Sequence, residues 1–90
     1  MDVTTPSDGE WFVYMLRCAD GSLYTGITND VERRCQQHAA GTASRYTRGH
    51  LPTVLVYQET QADRSEASKR ESAIKALTRQ QKESLIRQPR

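Results

Sequence analysis

The chain has little cysteine, no long apolar run and almost no net charge, and each shortage closes off a class of protein. Two cysteines, Cys18 and Cys35, are too few for a disulfide framework or a four-ligand zinc site. Reduced thiols in a cytoplasmic protein are the simplest expectation. No apolar run approaches the roughly 20 residues that a membrane-spanning helix needs, so no membrane partner is expected. The opening "MDVTTPSDGE" is acidic and polar rather than signal-like, and is expected to be a loose leader over residues 1–10. A formal charge of +2 is a weak argument for nucleic acid by itself. There is no internal repeat and no interdomain linker, so residues 11–87 are expected to form one small domain.

The distribution of charge says more than its total. Residues 1–60 hold five Lys/Arg against seven Asp/Glu, whereas residues 61–90 hold eight against four. The C-terminal third is therefore the basic part. Such a helix can lie along a phosphate backbone or simply present a solvated face.

"WFVYMLRC", Trp11 to Cys18, reads as a strand, as does "SLYTGIT", Ser22 to Thr28. Asp20-Gly21 between them signals a hairpin. A two-residue loop would place Tyr14 and Tyr24 on opposite sheet faces. A three-residue loop, with Gly21 left-handed, would set Tyr14 opposite Gly26 and put both tyrosines on one face. The sequence leaves both registers open. Asn29 with Glu32 predicts a capped helix from Asp30 to Ala40, stopped by Gly41. Val31, Arg34, Cys35 and His38 are spaced for one face of it. Gly41 to Pro52 reads as a loop, and Thr53 to Glu59 as a third strand. Asp63 with Glu66 opens a helix from Arg64 to Leu77, and Thr78 with Gln81 caps a last one through Arg87. The expected fold is α+β in the order β-β-α-β-α-α, a small three-stranded mixed or antiparallel sheet with helices packed on it.

Some charges fall where packing expects none. Glu71 interrupts the apolar stripe of Ala67, Ile74 and Leu77. It either pairs with a cation at the core's edge or coordinates a divalent ion. Arg34 and His38 lie one turn apart on a packing face. Gly26 marks either a bulge or a close approach. The run Ser44-Arg45-Tyr46-Thr47-Arg48 interleaves cations with an aromatic, which suits phosphate contact and base stacking, or an ordinary surface loop.

Taken together, the chain resembles a GIY-YIG nuclease domain, most closely the small single-domain UPF0213 group. "FVY" matches the first motif at its aliphatic and tyrosine positions, and "YTG" matches the second at tyrosine and glycine. Tyr14 and Tyr24 are ten residues apart, as are Tyr24 and Arg34. "CADGSLYTGITNDVERR" and "RESAIKALTRQQK" look typical of the group. Phe12 replaces the first motif's initial glycine, and Ile27 stands where some relatives carry a lysine. Arg33, Arg45, Arg48 or Lys75 can supply that cation instead. No stretch resembles the recognition domain that many family nucleases append.

The resemblance implies a metal-dependent endonuclease, with DNA rather than RNA the expected substrate and structure read rather than sequence. Its implied catalytic residues are Tyr14, Tyr24, Arg34, His38 and Glu71, with Glu71 holding one Mg²⁺ or Mn²⁺. Gly26 makes room for the tyrosines. Arg33, Arg45, Tyr46, Arg48, Lys69 and Lys75 are the expected nucleic-acid contacts. The alternatives are a nucleic-acid-binding module with weak or no catalysis, and a protein-interaction domain on the same fold.

Overall fold

The computed structural model describes residues 10–88, so all but the last residue of the expected leader lies outside the described residues. Three strands, β1 (Trp11–Arg17), β2 (Leu23–Thr28) and β3 (Val54–Gln61), pair antiparallel in the order β2-β1-β3. Four helices complete the chain: α1 (Val31–Ala39), α2 (Arg45–Arg48), α3 (Arg64–Lys75) and α4 (Arg79–Arg87). The fold is the expected α+β arrangement, with α2 added. Among the described residues no helix is long and apolar enough to cross a membrane.

The hairpin settles the register. Cys18 N–H donates to Ser22 O at 2.8 Å, leaving Ala19-Asp20-Gly21 as a three-residue loop. Gly21 has φ +88°, a left-handed conformation that favours glycine. The Asp20 carboxylate accepts from the Ser22 N–H at 3.0 Å and the Ser22 hydroxyl at 2.6 Å, holding the turn. Tyr14 consequently sits opposite Gly26, and Leu16 opposite Tyr24. Both tyrosines share a face.

The two faces of the sheet have different duties. On one, Val13, Met15 and Tyr57 pack with Ala67 and Ile74 of α3 as the buried core, flanked by Trp11, Ile27, Val56, Leu85 and Ile86. A register shift opposite Met15 and Leu16 leaves Val56 unmatched in β3. The other face carries Tyr14, Tyr24 and Gly26, and α1 brings His38 to it. Arg17 on the core side forms a two-pronged bond to Glu83 of α4, 2.8 Å at each contact. Arg79 adds a bond to Glu83 at 2.9 Å and another to Gly21 O at 2.7 Å. These bonds fasten α4 to the hairpin turn.

Several boundaries differ from expectation, each for a local reason. Asn29 does not cap α1. The Thr28 hydroxyl accepts the Asp30 N–H at 3.0 Å, which holds Asn29 in the turn and makes Asp30 the cap, accepting from Arg33 N–H at 3.1 Å. The C-terminus is as read: Gly41 has φ +81°, with Gly41 N–H on His38 O and Thr42 N–H on Gln37 O, a Schellman closure. The expected loop after Gly41 contains α2, capped by Ser44, whose hydroxyl accepts from Tyr46 N–H and Thr47 N–H. Four residues are too few to show a helical period. β3 runs on to Gln61, and α3 stops at Lys75 rather than Leu77. Asp63 caps α3, but the Glu66 carboxylate turns to Lys69 instead of closing a capping box. The box at Thr78 and Gln81 is complete.

Candidate active site

The site is built from the hairpin outward. Gly26 faces Tyr14, and a Cβ there would lie 2.6 Å from the Tyr14 Oη and 2.8 Å from Cζ. The missing side chain is what lets the phenol lie across β2 toward α1. There Tyr14 Oη meets His38 Nε2 at 2.8 Å. Both residues are buried, Tyr14 at 1% and His38 at 0% exposure. His38 Nδ1 reaches the hydroxyl of Thr47 on α2 at 2.7 Å, and that hydroxyl donates to Ser44 O at 3.3 Å.

Tyr24 lies above this buried pair and is half-buried. Its ring centroid is 5.1 Å from that of His38 and 6.4 Å from that of Tyr14. Tyr46 stacks on Tyr24 at 6.3 Å with an 18° interplanar angle, and on His50 at 4.3 Å with 19°. The Tyr46 hydroxyl donates to Ser22 Oγ at 2.6 Å, and His50 Nε2 lies 3.5 Å from the Asp20 carboxylate. An aromatic file thus runs from the buried Tyr14 to the surface, tied at its outer end to the hairpin loop.

Electrostatics fix the protonation of the buried pair. Burial, reinforced by Tyr24, pushes the Tyr14 phenol well above its ordinary range, while Arg34 opposes the shift and Glu71 adds to it. Burial, then the charge of Arg34, lowers His38. At neutral pH the tyrosine keeps its proton and the imidazole is uncharged. Tyr24, Arg34 and Glu71, from β2, α1 and α3, each bear electrostatically on Tyr14, as does Cys35 of α1.

Arg34 is half-buried, and no described carboxylate forms an ion pair with its guanidinium. It lines a polar recess of about 210 Å³ with Thr28, Asn29, Asp30, Arg33 and Gln37. Glu71 keeps 20% of its side chain exposed and pairs with Lys75 at 3.2 Å. Among the described residues no cluster of three or more His, Cys, Asp or Glu gathers as a metal centre. Glu71 is a single carboxylate. That donor set fits Mg²⁺ or Mn²⁺ held by one protein oxygen, with water and substrate phosphate completing the shell.

The predicted nucleic-acid contacts divide into two groups. Arg33, Arg45 and Arg48 are exposed without a described acidic partner, and Tyr46 is 43% exposed at the mouth of the site. Lys69 pairs with Glu66 at 3.4 Å and Lys75 with Glu71, so neither is a free cation. The Lys69 pair is exposed and weak enough to yield to a phosphate, whereas the Lys75 pair is partly sheltered at Glu71. Thr47, Ser22 and His50 escaped sequence reasoning. Thr47 is fully buried yet lies on a polar four-residue helix, where no periodicity marks it.

A family model described as the GIY-YIG catalytic domain matches residues 10–84. A UPF0213 protein of Desulfotalea psychrophila is 54% identical over 78 residues, covering 86% of this chain and 71% of its own. A UPF0213 protein of Staphylococcus aureus (strain Mu3) is 49% identical over 77 residues, covering 86% and 94%. The solution NMR structure of a UPF0213 protein from Bacillus halodurans superposes with a TM-score of 0.56 at 44% identity, covering 86% of this chain and 82% of that one. A second solution structure, from E. faecalis, gives 0.57 at 40% identity, covering 84% and 82%. With its sheet register, its paired tyrosines and these relatives in agreement, the chain belongs to the GIY-YIG catalytic-domain family and to its UPF0213 group.

Proposed function

We propose that this chain is a metal-dependent endonuclease that hydrolyses phosphodiester bonds in DNA, selecting structure rather than sequence, and that it works in the cytoplasm. The observation that carries the reading is Arg34: a half-buried guanidinium, unpaired among the described residues, that lines a polar recess and whose charge acts on both Tyr14 and His38. A permanently charged, planar donor left without a protein acceptor is suited to a non-bridging phosphate oxygen. GIY-YIG membership supports the reaction class.

The roles follow from exposure. Tyr24 is half-open to the site and orients the attacking water or takes its proton. Tyr14, buried and firmly protonated, stands behind it and is held by His38. Gly26 gives Tyr14 its place. Glu71 would hold the Mg²⁺ or Mn²⁺, which when bound supplies charge to polarise the phosphate and stabilise the leaving oxygen. Arg33, Arg45 and Arg48 contact the backbone, and Tyr46 offers its exposed edge to a base. Lys69 and Lys75 join once phosphate displaces their carboxylate partners.

One observation favours the second reading, a binding module with weak or no catalysis: Glu71 already has a cation in Lys75. Arg34→Ala and Arg34→Lys separate the two. Single-turnover cleavage of branched and single-stranded DNA should fall by about 10²–10³-fold in Arg34→Ala, the scale of losing one charge-stabilising donor. Its unfolding free energy should move by less than about 1 kcal/mol. If Arg34→Ala instead unfolds, the arginine is structural, and if it cleaves as wild type does, the arginine is dispensable; either result overturns the reading.

A further inference from the structure

Thr47 has no place in the chemistry so far, yet it is a fully buried hydroxyl 2.7 Å from the second nitrogen of His38. A threonine hydroxyl has one proton to give. Here that proton goes to Ser44 O, one turn back along α2. The Thr47 oxygen is then only an acceptor toward His38, so Nδ1 must carry the imidazole proton. Nε2 is left with its lone pair, and the Tyr14 hydroxyl must be the donor in the 2.8 Å contact. In this arrangement every buried polar side-chain atom in this chain of groups has a partner.

We infer that Thr47 is a positioning residue that fixes the tautomer of His38 and thereby sets the direction of the Tyr14 hydroxyl. The polarity runs inward: Tyr14 O–H to His38 Nε2, His38 Nδ1–H to Thr47 Oγ1, Thr47 O–H to Ser44 O. With its proton turned inward, the Tyr14 oxygen offers only lone pairs toward Tyr24 and the site. In the opposite tautomer Nε2–H would donate to Tyr14, and the phenol would present a proton outward. The inward setting suits a group that accepts a hydrogen bond from water or from Tyr24. Ser44 has a double part, since its side chain caps α2 while its carbonyl anchors Thr47. The short helix therefore serves to deliver one hydroxyl to the buried imidazole.

The tautomer stands on geometry alone, whereas its catalytic consequence rests on the nuclease reading. The two are measured apart. In ¹⁵N-resolved NMR of the His38 ring, wild type should show a protonated Nδ1 and a bare Nε2. Thr47→Ser should keep that pattern, and Thr47→Val should lose it in favour of protonated Nε2 or a mixture. A wild type with protonated Nε2, or a Thr47→Val with an unchanged pattern, overturns the inference whatever the activity. Should Thr47→Val not fold, wild type and Thr47→Ser still decide it. In cleavage assays Thr47→Val should lower kcat by about 10- to 100-fold with KM little changed, the scale seen when a working histidine loses its orienting partner. Thr47→Ser should restore it. An absence of cleavage in wild type would remove the nuclease reading and leave the tautomer result intact.

Discussion

At the level of single residues, the pairing of Tyr14 with Gly26 is the determinant on which the site depends. The phenol occupies the volume a Cβ would fill, and it is buried, so it has little room to retreat. Gly26→Ala should cost about 1–3 kcal/mol, the range for overpacking a filled interior. It should also lower cleavage by displacing Tyr14 from His38. Urea unfolding of the variant measures the first effect, and stability equal to wild type would mean that Tyr14 moves aside freely. The sequence could single out Glu71, Arg34 and His38 because each is polar on a packing face, whereas Tyr14 and Tyr24 fit their strands and are named only through the family resemblance. It could not name Thr47, which is polar in a polar segment and owes its importance to a partner nine positions away.

Among the elements, loop geometry decides more than propensity does. Strand content and helix order could be read from alternation and caps, but the facing of the two tyrosines turned on whether Asp20-Gly21 closed two or three residues. Gly21 at positive φ and the bond from Cys18 to Ser22 resolve it. That turn is also braced from α4. The hydrogen bonds of Arg17 and then Arg79 hold the Glu83 carboxyl down to about 2, against an ordinary value of 4.5. Because the folded value is the lower one, the contribution is complete above about 4.5 and is lost as pH falls toward about 2. NMR titration should place Glu83 near the lower figure. Glu83→Gln should flatten the loss of stability across that window, and an unchanged acid profile would show that the clamp contributes little. The site of α2 was not legible, since a single turn has no period and its cap, Ser44, resembles any serine in a loop.

For the molecule as a whole, a nearly balanced charge conceals an uneven surface. Arg33, Arg45 and Arg48 stand exposed and unpaired among the described residues, while Lys69 and Lys75 begin in ion pairs. DNA affinity should accordingly fall steeply with salt, by roughly 0.9 in the logarithmic slope for each phosphate neutralised. The double variant Arg45→Ala/Arg48→Ala should flatten that slope by about two and weaken all sequences alike. A slope unchanged by the pair would move the binding face elsewhere, with the basic C-terminal third the next place to look. The order of strands and long helices could be read from pattern, whereas the direction of the buried hydrogen bonds required coordinates. Those bonds join residues that are distant in sequence and ordinary in type.

The central claim is that Glu71 and a divalent ion act on a phosphodiester held by Arg34. The most direct test incubates wild type and Glu71→Ala with branched, single-stranded and duplex DNA and with RNA, in Mg²⁺, Mn²⁺ or chelator, scoring binding and cleavage separately. Cleavage of at least one DNA form by wild type, abolished by chelator and by Glu71→Ala while DNA binding persists, is the predicted result. Cleavage that survives both treatments, or binding to every substrate with no cleavage of any, would contradict it.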